Sequence, residues 1–214
     1  MGLPEVLERI ARAAARAGRS ADSVRLVAVT KGRTLEEIQR CVLAYGNFPL
    51  GESRVQEARP KMEALSGVEW HFIGPLQRNK VKFMRPFALV HSIDSVRLAQ
   101  ALARRAAREG WRARVLLQVN VAREPQKHGV FVEELADAVA RVRELEALEL
   151  VGLMTMAPYT ERPEEVRWVF RELSRLADRY NLAERSMGMT GDFEVAVEEG
   201  ATLVRVGRAL FEEG

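Results

Sequence analysis

The sequence predicts an α/β fold of the (β/α)8 TIM barrel type, with one additional helix at the N-terminus. Three observations lead there. Eight short apolar runs recur along the chain, helical patterns separate most of them, and 214 residues suits a small barrel. The first run, Leu26-Val27-Ala28-Val29, lacks the alternation of a strand with one wet face. It reads as a strand of a parallel sheet covered on both sides.

The elements follow in order. An amphipathic helix is predicted over 4–17, with Leu7, Ile10, Ala14 and Ala17 on its apolar face and Gly18 as its stop. Strands are predicted over 25–30, 48–51, 70–74, 89–93, 114–121, 150–155, 185–190 and 203–206. Behind the first strand, Leu35, Ile38, Val42 and Tyr45 form a helical face, and Cys41 beside them reads as a small core residue. Later helices are marked by Val132, Leu135, Val139 and Val142, and by Val166, Val169, Phe170, Leu173, Leu176 and Tyr180 after Pro163 in a first turn. A doubly wound open sheet is the competing architecture. No GxGxxG follows the first strand, and Gly32-Arg33-Thr34 is too poor in glycine to cradle a pyrophosphate. One barrel domain over 1–214 is therefore expected.

Composition excludes several function classes. Hydrophobic residues at 47% and charged residues at 29% rule out a disordered chain. The net charge of +3 is spread along the helices, and the one basic cluster, Arg78 to Arg85 with Lys80 and Lys82, reads as a solvated face rather than a nucleic-acid stripe. No apolar stretch approaches the roughly 18 to 20 residues that span a bilayer, and Glu5, Glu8 and Arg9 stand where a signal peptide is apolar. The expected location is the cytoplasm, with no membrane partner. His71, His91 and His128 have no metal-ligand spacing, so no metal is expected.

Candidate chemistry begins with Lys31, at the downstream end of the first strand. Only five of the 33 basic residues are lysines. Strand ends face the ligand site in parallel α/β folds, where a lysine can hold a phosphate as a point charge or attack a carbonyl as an amine; it can also simply snorkel to water. The seventh strand leads into Ser186-Met187-Gly188-Met189-Thr190-Gly191-Asp192, with Asp192 as N-cap of a short helix over 193–199. The eighth gives Val204-Arg205-Val206-Gly207-Arg208, where Gly207 permits close approach to the backbone and Arg208 can neutralise charge. In such barrels these two loops commonly hold a phosphate. Arg205 lies between valines in an apolar strand, where a guanidinium needs a partner or a ligand. A lysine and a phosphate cup at one mouth describe a site for a phosphorylated carbonyl compound.

With these features goes a series of motifs: Val27-Ala28-Val29-Thr30-Lys31, Gly51-Glu52-Ser53 with Val55-Gln56-Glu57, Trp70-His71-Phe72-Ile73-Gly74-Pro75-Leu76-Gln77 with Asn79-Lys80, His91-Ser92-Ile93-Asp94, Gln118-Val119-Asn120-Val121, Gly152-Leu153-Met154, Ser186-Met187-Gly188-Met189 and Val204-Arg205-Val206-Gly207. In this order they resemble the pyridoxal phosphate homeostasis protein family, over nearly the whole chain. The resemblance implies a fold-type III barrel that binds pyridoxal 5′-phosphate (PLP), like the N-terminal domain of alanine racemase but without its second β domain. It implies Lys31 as the internal aldimine, and Ser186, Met187, Gly207 and Arg208 around the phosphate, partly through backbone N–H groups. It further implies Arg205 at the pyridine nitrogen and Ser53 and His71 as additional cofactor contacts. Two departures stand out: the family usually has Gly-Glu-Asn-Tyr where this chain has Gly51-Glu52-Ser53-Arg54, and commonly a threonine where Arg208 stands. Lys127 matches a lysine of the family's strand-five loop and reads as solvent-exposed.

The implied function is a non-enzymatic one, PLP homeostasis and delivery to apo forms of PLP enzymes, with no catalytic residue assigned. An arginine at the ring nitrogen disfavours its protonation and weakens the cofactor as an electron sink. The alternative is a PLP-dependent racemase or decarboxylase. A two-base racemase needs a second base, and of Tyr45, Tyr159 and Tyr180 only Tyr159 is expected near the mouth. A phosphosugar enzyme would need strand-end carboxylates, for which Glu52 and Asp94 are available, although Asp94 is expected to begin the following helix.

Overall fold

The computed structural model describes residues 1–212. Eight parallel strands pair in sequence order and close into a barrel: β1 (Arg25–Val29), β2 (Leu50–Glu52), β3 (Trp70–Phe72), β4 (Leu89–Ile93), β5 (Ala113–Gln118), β6 (Leu148–Met154), β7 (Glu184–Ser186) and β8 (Leu203–Val206). Closure is made by β8 against β1, in register from Arg25↔Leu203 to Ala28↔Val206. All eight predicted strands are present. β7 stops well short of its predicted end, because Gly188 takes φ +97° and turns the chain out of the sheet.

One helix, α1 (Leu3–Arg16), precedes the barrel, as expected. The others follow the strands: α2 (Leu35–Cys41), α3 (Val55–Ala64), α4 (Val96–Glu109), α5 (Leu135–Arg143), α6 (Arg167–Arg179), α7 (Phe193–Glu198) and α8 (Arg208–Phe211). A 3-10 helix over Arg78–Phe83 takes the helix position after β3. The basic cluster of the sequence lies here, with Lys80 and Lys82 grouped around the Phe83 ring while Val81 and Met84 face the core. No helix among the described residues is long and apolar enough to cross a membrane.

Most strand positions are apolar because the strands face two cores. Val27, Leu89, Leu116, Met154 and Leu203 fill the barrel interior. A larger core lies between the barrel and its helices, with Ile38, Phe72, Leu102, Leu135, Phe170 and Phe193 fully buried. The helices at the end of the chain are too short to cover the seam between β7, β8 and β1, and α1 packs there, against α7 and α8. Arg9 pairs with Glu194 and lies 5.0 Å over the Phe193 ring, and Arg16 reaches Glu198 at 2.7 Å.

Two predicted helix faces need correction. In α1 the buried residues are Leu3, Val6, Ile10, Ala13 and Ala14; Leu7 is 36% exposed and Ala17 lies beyond the helix. Several alanines allow neighbouring helical phases, and packing on α7 selects one of them. In the α2 segment Ile38 and Val42 are buried, but Leu35 and Tyr45 are exposed. Here α2 ends at Cys41 and a 3-10 turn over Leu43–Tyr45 breaks the 3.6-residue phase. Cys41 is half-buried against the core.

The corrected α1 face can be tested by urea denaturation. Ile10→Ala should destabilise by about 2–5 kcal/mol, as a fully packed isoleucine does, and Leu7→Ala by under about 1 kcal/mol. Equal effects would restore the predicted face.

Candidate functional site

Because all strands run one way, their C-terminal ends form one mouth. Lys31 lies just past β1, Ser53 past β2, Met187 and Gly188 past β7, and Gly207 and Arg208 past β8. The Lys31 side chain is exposed and makes no hydrogen bond or ion pair among the described residues. The Gly188 and Gly207 N–H groups likewise have no acceptor there. Arg208 is exposed at the start of α8.

Beneath this mouth a chain of polar groups runs through the barrel. Arg205 is 4% exposed; its Nη2 donates to the Thr155 carbonyl at 3.0 Å and its Nη1 to Ser186 Oγ. Ser186 Oγ lies 2.8 Å from His91 Nδ1, and His91 Nε2 lies 2.9 Å from His71 Nδ1. His71 Nε2 in turn lies 2.7 Å from Glu69 Oε1, and Arg25 donates to the same carboxylate from solvent. With neutral imidazoles, one arrangement uses every proton: Arg205 donates to Ser186, Ser186 to His91, His91 to His71, and His71 to Glu69. The chain thus links the buried guanidinium to a carboxylate at the opposite mouth.

The charges along it are set by burial at one end and by hydrogen bonding at the other. Desolvation lowers Arg205 to about 10, with Asp192 opposing the shift. No carboxylate lies within ion-pair distance of Arg205 among the described residues, so its charge meets only neutral oxygens. Desolvation, aided by His71 and Arg205, holds His91 well below its usual value and hence neutral. The hydrogen bond from His71, with Arg25 nearby, lowers Glu69 to about 2.

Several sequence expectations are changed. Met187 is fully buried and its N–H is given to the Leu203 carbonyl at 3.0 Å, because β7 pairs with β8 there; Gly188 carries the free N–H instead. The Ser186 hydroxyl is enclosed between Arg205 and His91. His71 reaches Ser186 only through His91. At Gly207 a Cβ would lie 3.2 Å from Val29 Cβ, so the glycine serves the contact of β8 with β1. Asp192 does not cap α7 with its side chain, which turns back to accept from Met189 N–H at 2.7 Å; burial raises its pKa. Ser95, not Asp94, caps α4, and Asp94 lies 3.2 Å from His128. Lys127 is half-buried, donating to the Ala157 carbonyl at 3.1 Å and paired with Glu124 at 2.7 Å.

Sequence reasoning missed a cluster beside Lys31. Lys61 of α3 is buried, with Nζ 2.6 Å from Glu52 Oε1 and 3.0 Å from Glu57 Oε1. Its only signal was a Glu57/Lys61 pair at i, i+4, which reads as an ordinary surface pair.

The profile of the alanine racemase N-terminal domain matches residues 4–213. A pyridoxal phosphate homeostasis protein of Deinococcus radiodurans is 53% identical, over 99% of this chain and 100% of its own length. PipY of Synechococcus elongatus, solved with PLP bound, superposes with a TM-score of 0.82 at 32% identity, covering 97% of this chain and 100% of PipY. An alanine racemase of Clostridium difficile shares the fold with a TM-score of 0.73 at 14% identity, over 97% of this chain and 56% of the racemase.

A pH dependence follows from His91. The unfolded chain protonates this imidazole near 6.5 and the folded protein does not, so unfolding takes up a proton at lower pH. Stability should be complete above about 6.5 and fall as pH drops below it. Glu69 adds a further loss only from about 4.5 down towards about 2. Urea midpoints measured from pH 8 to 5 should show the first slope, and His91→Phe should flatten it; an unchanged slope would place the titration elsewhere.

Proposed function

The chain belongs to the pyridoxal phosphate homeostasis protein family, built on the barrel of the alanine racemase N-terminal domain, and on that premise we propose that it holds PLP at this mouth and releases it to apo forms of PLP enzymes. The observation that carries the reading is Arg205. A guanidinium buried against neutral oxygens alone is under-compensated, and an anionic or lone-pair ligand above it supplies the missing partner.

The remaining groups fit the same ligand. The free N–H groups of Gly188 and Gly207, with Arg208, suit a phosphate. Arg205 suits the pyridine nitrogen, and Ser186 holds Arg205 in place, with His91 and His71 behind it. Lys31, with an unengaged amine, is the attachment point, and Ser53 borders the site from β2. Met187 contributes the packing beneath it. Bound PLP supplies an aldehyde that condenses with amines and a ring that withdraws electrons when its nitrogen is protonated. Arg205 opposes that protonation, which favours holding the cofactor over amino-acid chemistry.

The homeostasis name of the Deinococcus relative supports the same side of the choice between carrier and racemase. Two of the three tyrosines lie on helix ends away from the strand ends, and the third points to solvent. Tyr159 is 88% exposed in the loop after β6, Tyr45 is exposed beyond α2, and Tyr180 ends α6.

Borohydride treatment of the PLP-loaded protein should fix one phosphopyridoxyl group per chain on Lys31, read by peptide mass mapping. An adduct on Lys127 or spread over other lysines would refute the assignment. In a second test, the loaded protein should reactivate an apo-enzyme that requires PLP while leaving L-alanine unracemised in chiral chromatography. Repeated turnovers of racemisation, abolished by Lys31→Ala, would favour the enzyme.

A further inference from the structure

We propose that Glu52, Glu57 and Lys61 are positioning residues for Lys31, fixing the backbone on both sides of it while leaving its amine free. The inference rests on the reading of Lys31 as the attachment point.

The geometry is specific to the two peptide units that meet at the Lys31 Cα. The carbonyl of the first, from Thr30, accepts from Lys61 Nζ at 2.7 Å. The N–H of the second, from Gly32, donates to Glu57 Oε1, which also receives a proton from Lys61. Peptide units are planar, so anchoring both leaves little freedom in φ and ψ of Lys31 and fixes its Cα–Cβ direction. Gly32 has φ +70°, a conformation glycine adopts without strain, which lets its N–H point at α3. Glu52 completes the frame: its Oε1 accepts from Lys61 at 2.6 Å and from Thr30 Oγ1 at 2.7 Å. All three ammonium protons of Lys61 are thereby used, on Thr30, Glu52 and Glu57.

A purely stabilising role explains this cluster poorly. Buried ion pairs are weak stabilisers, because desolvation offsets their attraction. This one also leaves Glu52 Oε2 buried without a hydrogen-bond partner, and burial holds the Glu52 carboxyl above its usual range. Among the described residues, the hydrogen-bond partners that the Lys61 and Glu57 side chains reach outside the cluster belong to the peptides adjoining Lys31. A held stem with a free tip is what a lysine needs to meet an aldehyde repeatedly at one point.

The test compares covalent capture with non-covalent binding. Condensation of the Lys31 amine with the PLP aldehyde forms a C=N bond, and the aldehyde oxygen leaves with the two amine hydrogens as water. Borohydride then adds hydride to the carbon, and water supplies the proton to the nitrogen. Pyridoxine 5′-phosphate, an alcohol at the same position, binds without this step. Glu57→Ala, at a half-exposed position, should slow the appearance of borohydride-fixable PLP on Lys31 by about 10-fold or more while changing affinity for the alcohol by less than about 2-fold. Glu57→Gln, whose amide oxygen still accepts from Gly32, should restore most of the rate. Lys61→Arg keeps a buried cation but moves its donors, and should slow capture in the same way. Wild-type capture rates in Glu57→Ala and Lys61→Arg, or a parallel loss of affinity for the alcohol, would overturn the positioning role alone. Wild-type protein that binds the alcohol but is never fixed on Lys31 would overturn the attachment point first.

Discussion

The site depends on keeping one positive charge inside a barrel of apolar strands. Arg205 has little access to water, and its direct partners are the Thr155 carbonyl and the Ser186 hydroxyl. Neutral oxygens orient a guanidinium without cancelling its charge. The compensation is spread out instead, through His91 and His71 to the ionised Glu69 at the far mouth. His91 has to stay neutral for this to work, since a second cation beside Arg205 would add to the desolvation already present. The result is a cation with fixed aim and residual demand for a partner on its ligand side.

Lys31 shows the opposite arrangement within the same mouth. Its side chain is unengaged while the peptides on either side of it are tied down. Arg205 is fixed at its tip and Lys31 at its base. Chemistry that attaches and detaches a molecule needs both, an unmoving point of reference and an amine that can approach and withdraw. The apolar interior of Val27, Leu89, Leu116, Met154 and Leu203 separates these groups from the lower mouth, except where the polar chain crosses it.

The fold was legible because a closed parallel barrel repeats one instruction eight times, and a run such as Leu26 to Val29 carries it unambiguously. Strand ends were less so, since Gly188 ends β7 by a backbone turn within a segment that still reads as extended. Lys31, just past one apolar strand, and Arg205, within another, were visible as charges in apolar surroundings. What joins them was hidden. His71 and His91 meet once β3 pairs with β4, and Ser186 of β7 reaches them only when the barrel closes. Lys61 and Glu57 carry no mark that separates them from surface pairs such as Glu8 and Arg12, because their partners are backbone atoms of another segment. The engagement of the Met187 N–H was hidden for the same reason: whether an N–H is free depends on sheet register.

Barrel closure by β1 and β8 bears on how the protein comes into being. Lys31 follows the first strand and Arg205 lies on the last, and α1 from the chain's beginning seals the seam beside α7 and α8. Contacts of such long sequence separation form late in folding, and a chain still emerging from the ribosome has the lysine long before it has the arginine. A nascent chain can therefore offer a reactive amine but no pocket. Any ligand that needs both ends recognises only the finished barrel, and its binding energy favours the closed state over every open one.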